Sequence, residues 1–144
     1  RGDGPGRACH YWGLSQQEYY SKADVWPLNP NGEILVIIQI EDTVGIANLS
    51  DILKDVPGIG VVLIGEGDLG QELGFPRQYD HPILLEAMSE IVATCNRYDV
   101  VVGHPHANAS NMQRLLDEGF RFIMSGPGQS YTGLEKGLEL TNRS

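Results

Sequence analysis

The sequence contains too little cysteine, too few basic residues and no long apolar run, and each shortage excludes a class of protein. Cys9 and Cys95 are too few for a disulfide framework, so we expect a reduced, cytoplasmic setting. The longest apolar runs, 34–38 and 61–64, are far too short to span a bilayer. No apolar stretch follows the basic first residue, so we expect no signal peptide. Ten Lys and Arg against 19 Asp and Glu give a net charge of -9, which disfavours a nucleic-acid partner. We therefore expect neither nucleic-acid nor membrane binding.

Two common catalytic motifs are also missing. Segment 65–70 lacks the spacing of a Gly-x-Gly-x-x-Gly motif and contains no Walker lysine, so a nucleotide site has no support. Ser125 and Ser130 have no partner at nucleophile-elbow spacing, which removes serine hydrolase chemistry. What is present is a globular composition, 41% hydrophobic and 20% charged, in a 144-residue chain that fits one domain.

Within this single domain, 1–144, the first 33 residues differ from the rest. Glycine and proline mark a loop that begins at Arg1, and Ser15 with Glu18 forms a capping box before a helix predicted at about 16–23. From 34 to 144, apolar runs and helical patterns alternate. Strands are predicted at 34–40, 60–64, 100–102 and 120–124, the first two buried on both faces, and helices at 43–54, from 82, at 111–118 and at 131–140.

Four units of strand followed by helix predict a parallel α/β sheet. Two closures fit the pattern: an open doubly wound sheet, or part of a (β/α)8 barrel. A complete barrel needs eight units and ~250 residues, so a chain with four units would contain half of one. In both architectures ligands bind beyond the carboxyl ends of the strands, and candidate residues are therefore sought there.

Two carboxylates, Glu41 and Asp68, stand at matched places after the first two strands. Parallel neighbours ~4.8 Å apart would bring both to one edge of the sheet, where they suit a hard divalent ion such as Mg²⁺ or Mn²⁺. The plainer alternative is that Glu41 caps the next helix and Asp68 lies in an ordinary turn. Gly65 and Gly67 fit either a backbone anion site or a glycine-rich turn.

The last two strand ends offer weaker candidates. His104 and His106 share a face of an extended segment, which suits a metal site, a proton-transfer site or a purely structural pair. His81 fits a helix start, because Pro82 follows it. The fourth strand leads into Ser125-Gly126-Pro127-Gly128, which suggests no chemistry.

An ordered set of short motifs resembles the HpcH/HpaI aldolase family, the class II pyruvate-dependent aldolases. The resemblance covers about Val36 to Leu140, and the loop from Arg1 looks like the glycine-rich segment before this half of the barrel. It implies a (β/α)8 TIM-barrel type of fold, with this chain covering about the last four βα units. The motifs are Gln39-Ile40-Glu41, Gly45 to Leu49, Val56 to Gly60, Gly65-x-x-Asp68-Leu69 and Leu73-Gly74.

The resemblance implies a site and an activity. Glu41 and Asp68 would hold the divalent ion, Mg²⁺ or Mn²⁺ with Co²⁺ as a further option. Gln39 would line the pocket, and the backbone N–H groups of Gly67 and Asp68 would receive the substrate carboxylate. The implied reaction cleaves or forms 4-hydroxy-2-oxo acids from a pyruvate-like 2-oxo acid and an aldehyde, through an enolate that the ion stabilises. No Schiff-base lysine is then needed, and Lys54 falls late in a helix.

The chain departs from the family pattern in two respects. Glu66 stands where the family often has proline, which places a further carboxylate near the ion. The family's histidine base and substrate-binding arginine come from the first half of the barrel, so His104, His106 and Arg77 do not inherit those roles. We therefore expect the chain to need another chain, as a homo-oligomer or a complementing chain, or its own missing half to be a stable catalyst.

Two other functions remain open. A citrate-lyase-β-like or malyl-CoA-lyase-like enzyme shares the barrel and the two carboxylates but acts on coenzyme A thioesters. A basic patch for the coenzyme's phosphates would favour it, and the ten Lys and Arg form no cluster. The second alternative is a non-catalytic half-barrel that binds a partner or a ligand.

Overall fold

The computed structural model describes residues 7–125 and 131–143. The predicted loop that begins at Arg1 lies outside these residues, and so do Gly126 to Gly128 and Ser130. All other predicted elements and all candidate site residues fall within the described part.

The N-terminal part is a small unit of two helices and two short parallel strands. It contains α1 (Ala8–Trp12), α2 (Gln16–Lys22), β1 (Val25–Trp26) and β2 (Ile34–Leu35). The predicted capping box of α2 is confirmed, because the Ser15 hydroxyl accepts from the Glu18 N–H at 3.1 Å and the Glu18 carboxylate accepts from the Ser15 N–H at 2.8 Å.

The rest of the described chain is a four-stranded sheet with helices between its strands. All strands are parallel, and their order in space, β3-β4-β5-β6, follows the sequence. The predicted parallel sheet of four βα units is therefore confirmed. The elements are β3 (Ile37–Ile40), α3 (Thr43–Asp55), β4 (Val61–Ile64), α4 (Glu66–Glu72), α5 (Pro82–Arg97), β5 (Val101–His104), α6 (Met112–Asp117), β6 (Phe122–Ile123) and α7 (Thr132–Leu140).

The hydrophobic core lies between the sheet and its helices. Leu49 of α3, Leu84 and Ile91 of α5, and Val62 and Ile64 of β4 are fully buried and belong to one cluster. Apolar residues three or four apart put one face of α5 into this core, as the sequence predicts. In the part of the chain that the structure describes, no helix is both long and apolar enough to cross a membrane.

The strand predicted at 34–40 is wrong in its extent and its burial. The structure divides it into β2, which pairs with β1, and β3, which pairs with β4. Ile37 is 42% exposed, and only Ile40 of β3 is buried. The reason is position: among the described strands, β3 has a neighbour on one side only. A run of apolar residues does not distinguish such an edge strand from a central one.

The Val56–Gly60 loop connects α3 to β4 and packs against the N-terminal unit. Gly58 has φ +91, and a Cβ at this position would lie 2.9 Å from the Leu28 Cδ1 atom. The backbone conformation favours glycine at this position. This preference explains one of the motif residues that carry the family resemblance.

Candidate active site

The carboxyl ends of β3 and β4 place Glu41 and the turn that carries Asp68 at one edge of the sheet. Ile40 pairs with Ile64, and the Gly65 N–H donates to the Ile40 carbonyl at 2.8 Å. Glu41 therefore follows one strand at the level where Gly65 follows the other. Asp68 lies three residues further on, in the first turn of α4, and both carboxylates are exposed.

Gly65 allows a close approach of the side chains that end β3. A Cβ on Gly65 would lie 2.5 Å from the Glu41 Cβ and 2.8 Å from the Gln39 Nε2 atom. Glu41 and Gln39 thus lie directly over the start of the Asp68 turn. The Gln39 amide also donates to the Glu41 Oε2 atom at 2.5 Å, which orients that carboxylate.

The plainer interpretation of Glu41, as a helix cap, does not describe the structure. The N-cap of α3 is Asp42, whose carboxylate accepts from the Gly45 N–H at 2.5 Å. The neighbouring acid therefore fills the capping role, and Glu41 remains at the strand end. Asp68 does not lie in an ordinary turn, since it belongs to α4.

The side chains present fit a hard divalent ion. Glu41 and Asp68 offer only oxygen donors, the ligands that Mg²⁺ and Mn²⁺ prefer. The described residues include no group of three or more His, Cys, Asp or Glu that could hold a metal. Two carboxylates alone would leave the other positions of such an ion to water or substrate, as is usual for Mg²⁺.

The first turn of α4 also presents backbone donors. The Leu69 N–H is the first to bond back, donating to the Gly65 carbonyl at 3.0 Å. The N–H groups of Gly67 and Asp68 precede it at the open end of the helix, where backbone N–H groups have no partner within the helix. A Cβ on Gly67 would meet no atom within 4 Å, so there is open space beside this turn.

A buried carboxylate that faces two histidines was not predicted from the sequence. Glu66 is only 4% exposed, and its Oε1 atom lies 2.7 Å from the Nδ1 atom of His106. Its Oε2 atom lies 3.0 Å from the Nε2 atom of the buried His104. Within the described residues, this Nε2 atom makes no hydrogen bond of acceptable geometry. The His104 contact is therefore electrostatic, and the His106 contact is the hydrogen bond that orients Glu66.

The hydrogen bonds of this cluster assign its tautomers and its charge. The His104 Nδ1 atom accepts from the His106 backbone N–H at 3.2 Å, so the ring hydrogen of a neutral His104 lies on Nε2, next to Glu66. Burial by itself raises the pKa of the Glu66 carboxyl, but the close contacts with His104 and His106 together outweigh it. The pKa of Glu66 is lowered as a result, and the group is ionised near neutral pH.

The loop between α4 and α5 borders the same face. The Tyr79 ring lies 6.3 Å from the His106 ring, tilted by 43°. Arg77 lies in this loop with φ 61, and His81 ends it as the N-cap of α5, whose start is predicted there. One signal in the sequence could have predicted the pairing of Glu66 with the histidines. Glu66 follows β4, and the histidines lie at the end of the neighbouring strand β5, just as Glu41 and Asp68 follow the neighbouring strands β3 and β4.

Four parallel βα units, whose strands lie in the sheet in their sequence order, fit part of an α/β protein of the TIM-barrel type, with acidic and imidazole groups at the carboxyl ends of the strands. The profile of the HpcH/HpaI aldolase/citrate lyase family matches residues 7–130. The chain belongs to this family, as the motifs of the sequence predict.

Sequence relatives and solved structures agree with this assignment. The chain is 32% identical over 96 residues to the 4-hydroxy-2-oxo-heptane-1,7-dioate aldolase of Salmonella arizonae, which corresponds to 67% of this chain and 36% of that protein. The match thus spans about a third of the relative's length. An HpcH/HpaI aldolase/citrate lyase family protein of Burkholderia cenocepacia aligns with a TM-score of 0.63 and 23% identity, over 80% of this chain and 44% of that one. The HpcH/HpaI aldolase of Desulfitobacterium hafniense aligns with a TM-score of 0.61 and 21% identity, over 90% of this chain and 60% of that one. At these identities the structures support the fold alone.

Proposed function

We propose that the protein is a metal-dependent carbon–carbon lyase, a class II pyruvate aldolase that cleaves or forms 4-hydroxy-2-oxo acids. The observation that carries the proposal is the position of Glu41, which lies over Gly65 and beside the turn of Asp68. Membership of a family of aldolases and lyases supports it. The similarity to a 4-hydroxy-2-oxo-heptane-1,7-dioate aldolase supports the choice of substrate class, a 2-oxo acid and an aldehyde.

In this proposal each residue of the strand-end site has one role. Glu41 and Asp68 hold a divalent ion, Mg²⁺ or Mn²⁺, with Co²⁺ as a further option. The bound ion supplies Lewis-acid stabilisation of the negative charge that develops on the 2-oxo acid. Gln39 holds the Glu41 carboxylate in place through the bond at 2.5 Å. The N–H groups of Gly67 and Asp68 receive the substrate carboxylate, because the open end of α4 attracts negative charge.

Part of the machinery lies outside residues 1–144. The resemblance assigns the histidine base and the substrate-binding arginine to the first half of the barrel. We propose that this missing half, or a complementing chain, supplies them, and that residues 1–144 act as one domain of a homo-oligomer or complex. We also propose a reducing, cytoplasmic setting, in which Cys9 and Cys95 would stay free thiols.

We prefer an aldolase to a lyase of coenzyme A thioesters because the protein has few basic side chains for the coenzyme's phosphates. Such a lyase needs cations for the coenzyme's phosphates, and three of the basic side chains are already paired with carboxylates. These pairs are Lys22 with Glu33, Arg114 with Glu118 and Lys136 with Glu139. The net charge of -9 also disfavours a polyanionic ligand.

Calorimetric titration of the purified protein with pyruvate, with and without Mn²⁺, tests the proposal. We expect binding only with Mn²⁺ present, because the ion and the turn share the substrate. Asp68→Asn should weaken pyruvate binding much more than Asp42→Asn, since Asp42 only caps α3 and asparagine caps equally well. Metal-independent binding of pyruvate, or equal losses in the two variants, would falsify the proposal. Preferential binding of a coenzyme A thioester would favour the alternative lyase.

A further inference from the structure

His106 has the geometry of an imidazole that is held for proton transfer. Its Nδ1 atom lies 2.7 Å from the Glu66 Oε1 atom, and its side chain is 63% exposed while that of Glu66 is 5% exposed. A carboxylate on one ring nitrogen fixes the hydrogen on that nitrogen and leaves a lone pair on the other. The lone pair of His106 therefore lies on the Nε2 atom, on the side of the ring away from Glu66.

The partner of this imidazole is itself fixed. Glu66 begins α4 and is buried, and its second oxygen lies 3.0 Å from the buried His104. The His106 backbone N–H is tied to the same His104 ring at 3.2 Å. The carboxylate and the backbone of His106 are thus positioned by one neighbour, which limits the directions in which the Nε2 atom can point.

We propose that His106 is a second proton-transfer residue of the aldolase site, acting at C3 of the bound 2-oxo acid, with Glu66 and His104 as its positioning residues. The inference rests on the proposed function. Its structural basis is that Glu66 and Asp68 share the first turn of α4, while His106 follows the strand paired with β4. The imidazole and the two carboxylates consequently lie at the same, carboxyl edge of the sheet.

The reaction needs a proton at C3 in addition to the one removed from the C4 hydroxyl. In cleavage, the base removes the hydroxyl proton, the C3–C4 bond breaks, and a carbonyl forms at C4 of the departing aldehyde. The electron pair of the broken bond remains on the pyruvate part as an enolate. His106 takes up a proton from solvent on Nε2 beforehand and gives it to C3, which becomes the methyl group of pyruvate. His106 thereby returns to the neutral imidazole, and the base releases the hydroxyl proton to solvent. In the direction of synthesis, the Nε2 atom removes that methyl proton.

The geometry favours proton transfer over the two other roles that these residues suit. A metal held by Glu66, His104 and His106 is disfavoured, because both carboxylate oxygens already face imidazoles and the described residues contain no three-ligand group. A purely structural contact would not require the exposed end of the His106 ring. His104, by contrast, is buried and lies edge-on to Phe120 at 5.1 Å, which is a packing role.

Deuterium exchange into the methyl group of pyruvate isolates the C3 step, because it needs no aldehyde. The native protein is incubated with Mg²⁺ and pyruvate in D₂O, and loss of the methyl proton signal is followed by NMR. We expect His106→Asn to slow the exchange by ~10²–10⁴-fold, the usual loss for a general base, with little change in pyruvate affinity. His106→Gln should behave alike. His81→Asn is the matched control, since His81 caps α5 and asparagine is a good N-cap.

A second readout does not depend on turnover. Nitrogen-15 NMR of the four histidines should show His106 with its hydrogen on Nδ1 and an unprotonated Nε2 atom, identified by the signals that His106→Asn removes. Pyruvate with Mg²⁺ should shift the Nε2 signal of His106 and leave that of His81 in place. Glu66→Gln should release the Nδ1 tautomer preference and slow the exchange less than His106→Asn does, because the imidazole remains.

The outcomes separate this inference from the function on which it rests. Slow exchange with intact pyruvate binding in His106→Asn supports it. If the variant exchanges at the native rate, or if it loses binding to the same degree as exchange, His106 does not transfer protons and the proposed function survives. If the native protein binds pyruvate but exchanges no deuterium, the inference is again overturned. If the native protein does not bind pyruvate with Mg²⁺, both proposals fail together.

Discussion

Replacing Gly65 by alanine tests whether Glu41 binds the metal, because the added methyl group would displace the Glu41 side chain. The added Cβ would lie 2.5 Å from the Glu41 Cβ and 2.8 Å from the Gln39 Nε2 atom. Ordinary contacts of a Cβ atom begin at 3.4 Å, so the end of β3 has to move by about 1 Å. Overpacking of this kind typically costs ~1–3 kcal/mol of stability. Glu41 would no longer stand where the present backbone places it.

Gly67→Ala is the matched control within the same turn. A Cβ at Gly67 meets no atom within 4 Å, and its backbone does not need the left-handed region. Alanine in α4 should therefore stabilise the helix by ~0.5–1 kcal/mol. The two substitutions add the same methyl group two residues apart, and only Gly65→Ala disturbs Glu41.

The assay is titration of each variant with Mn²⁺, combined with urea unfolding. We expect Gly65→Ala to lower the Mn²⁺ affinity by ~10–100-fold, the usual effect of disturbing the support of a metal ligand. Gly67→Ala should keep the native affinity and unfold at higher urea. Folded variants with equal Mn²⁺ affinity would show that Glu41 is not a ligand, whatever their stabilities.

Three further predictions concern stability and association. Burial raises the pKa of the Cys95 thiol from 9.0 to about 11, so this thiol ionises at lower pH in the unfolded chain than in the folded one. The free energy of unfolding should therefore fall by about 1.4 kcal/mol per pH unit between these two values. Cys95→Ala should remove this slope in urea unfolding measured across the same pH range. Gly58→Ala should lower the thermal unfolding temperature somewhat more than Gly74→Ala, because both have positive φ but only the Cβ at Gly58 meets other side chains, those of Leu28 and Val25. The native protein should sediment as an oligomer or complex, and Ile37→Lys, on the exposed edge strand, should shift it towards monomer; an unchanged distribution would place the interface elsewhere.

The sequence predicts the elements with strong local signals. The start of α5 is an example, since Pro82 fits the first turn and His81 precedes it. In contrast, α4 was not predicted, because Gly65 and Gly67 flank Glu66 and glycine is a poor helix former. The helix forms there because Leu69 is fully buried, a tertiary contact that outweighs the local preference.

The candidate site is predictable where neighbouring strands bring residues together, and unpredictable in the fine contacts. The places of Glu41 and Asp68 follow from strand ends alone, and their roles remain proposals. The burial of Glu66 and its bond to His106 join residues far apart in sequence. No local pattern encodes that pair, because it depends on the paired register of β4 and β5. The resemblance marks Glu66 as unusual without indicating its partner.

The order of the sheet has a consequence for how the chain acquires its structure. Each strand of β3-β4-β5-β6 pairs with the strand next to it in the sequence. No pairing in this sheet has to wait for a distant segment, so its contact order is low for a parallel sheet. The sheet can grow one strand at a time from its N-terminal end as the chain leaves the ribosome.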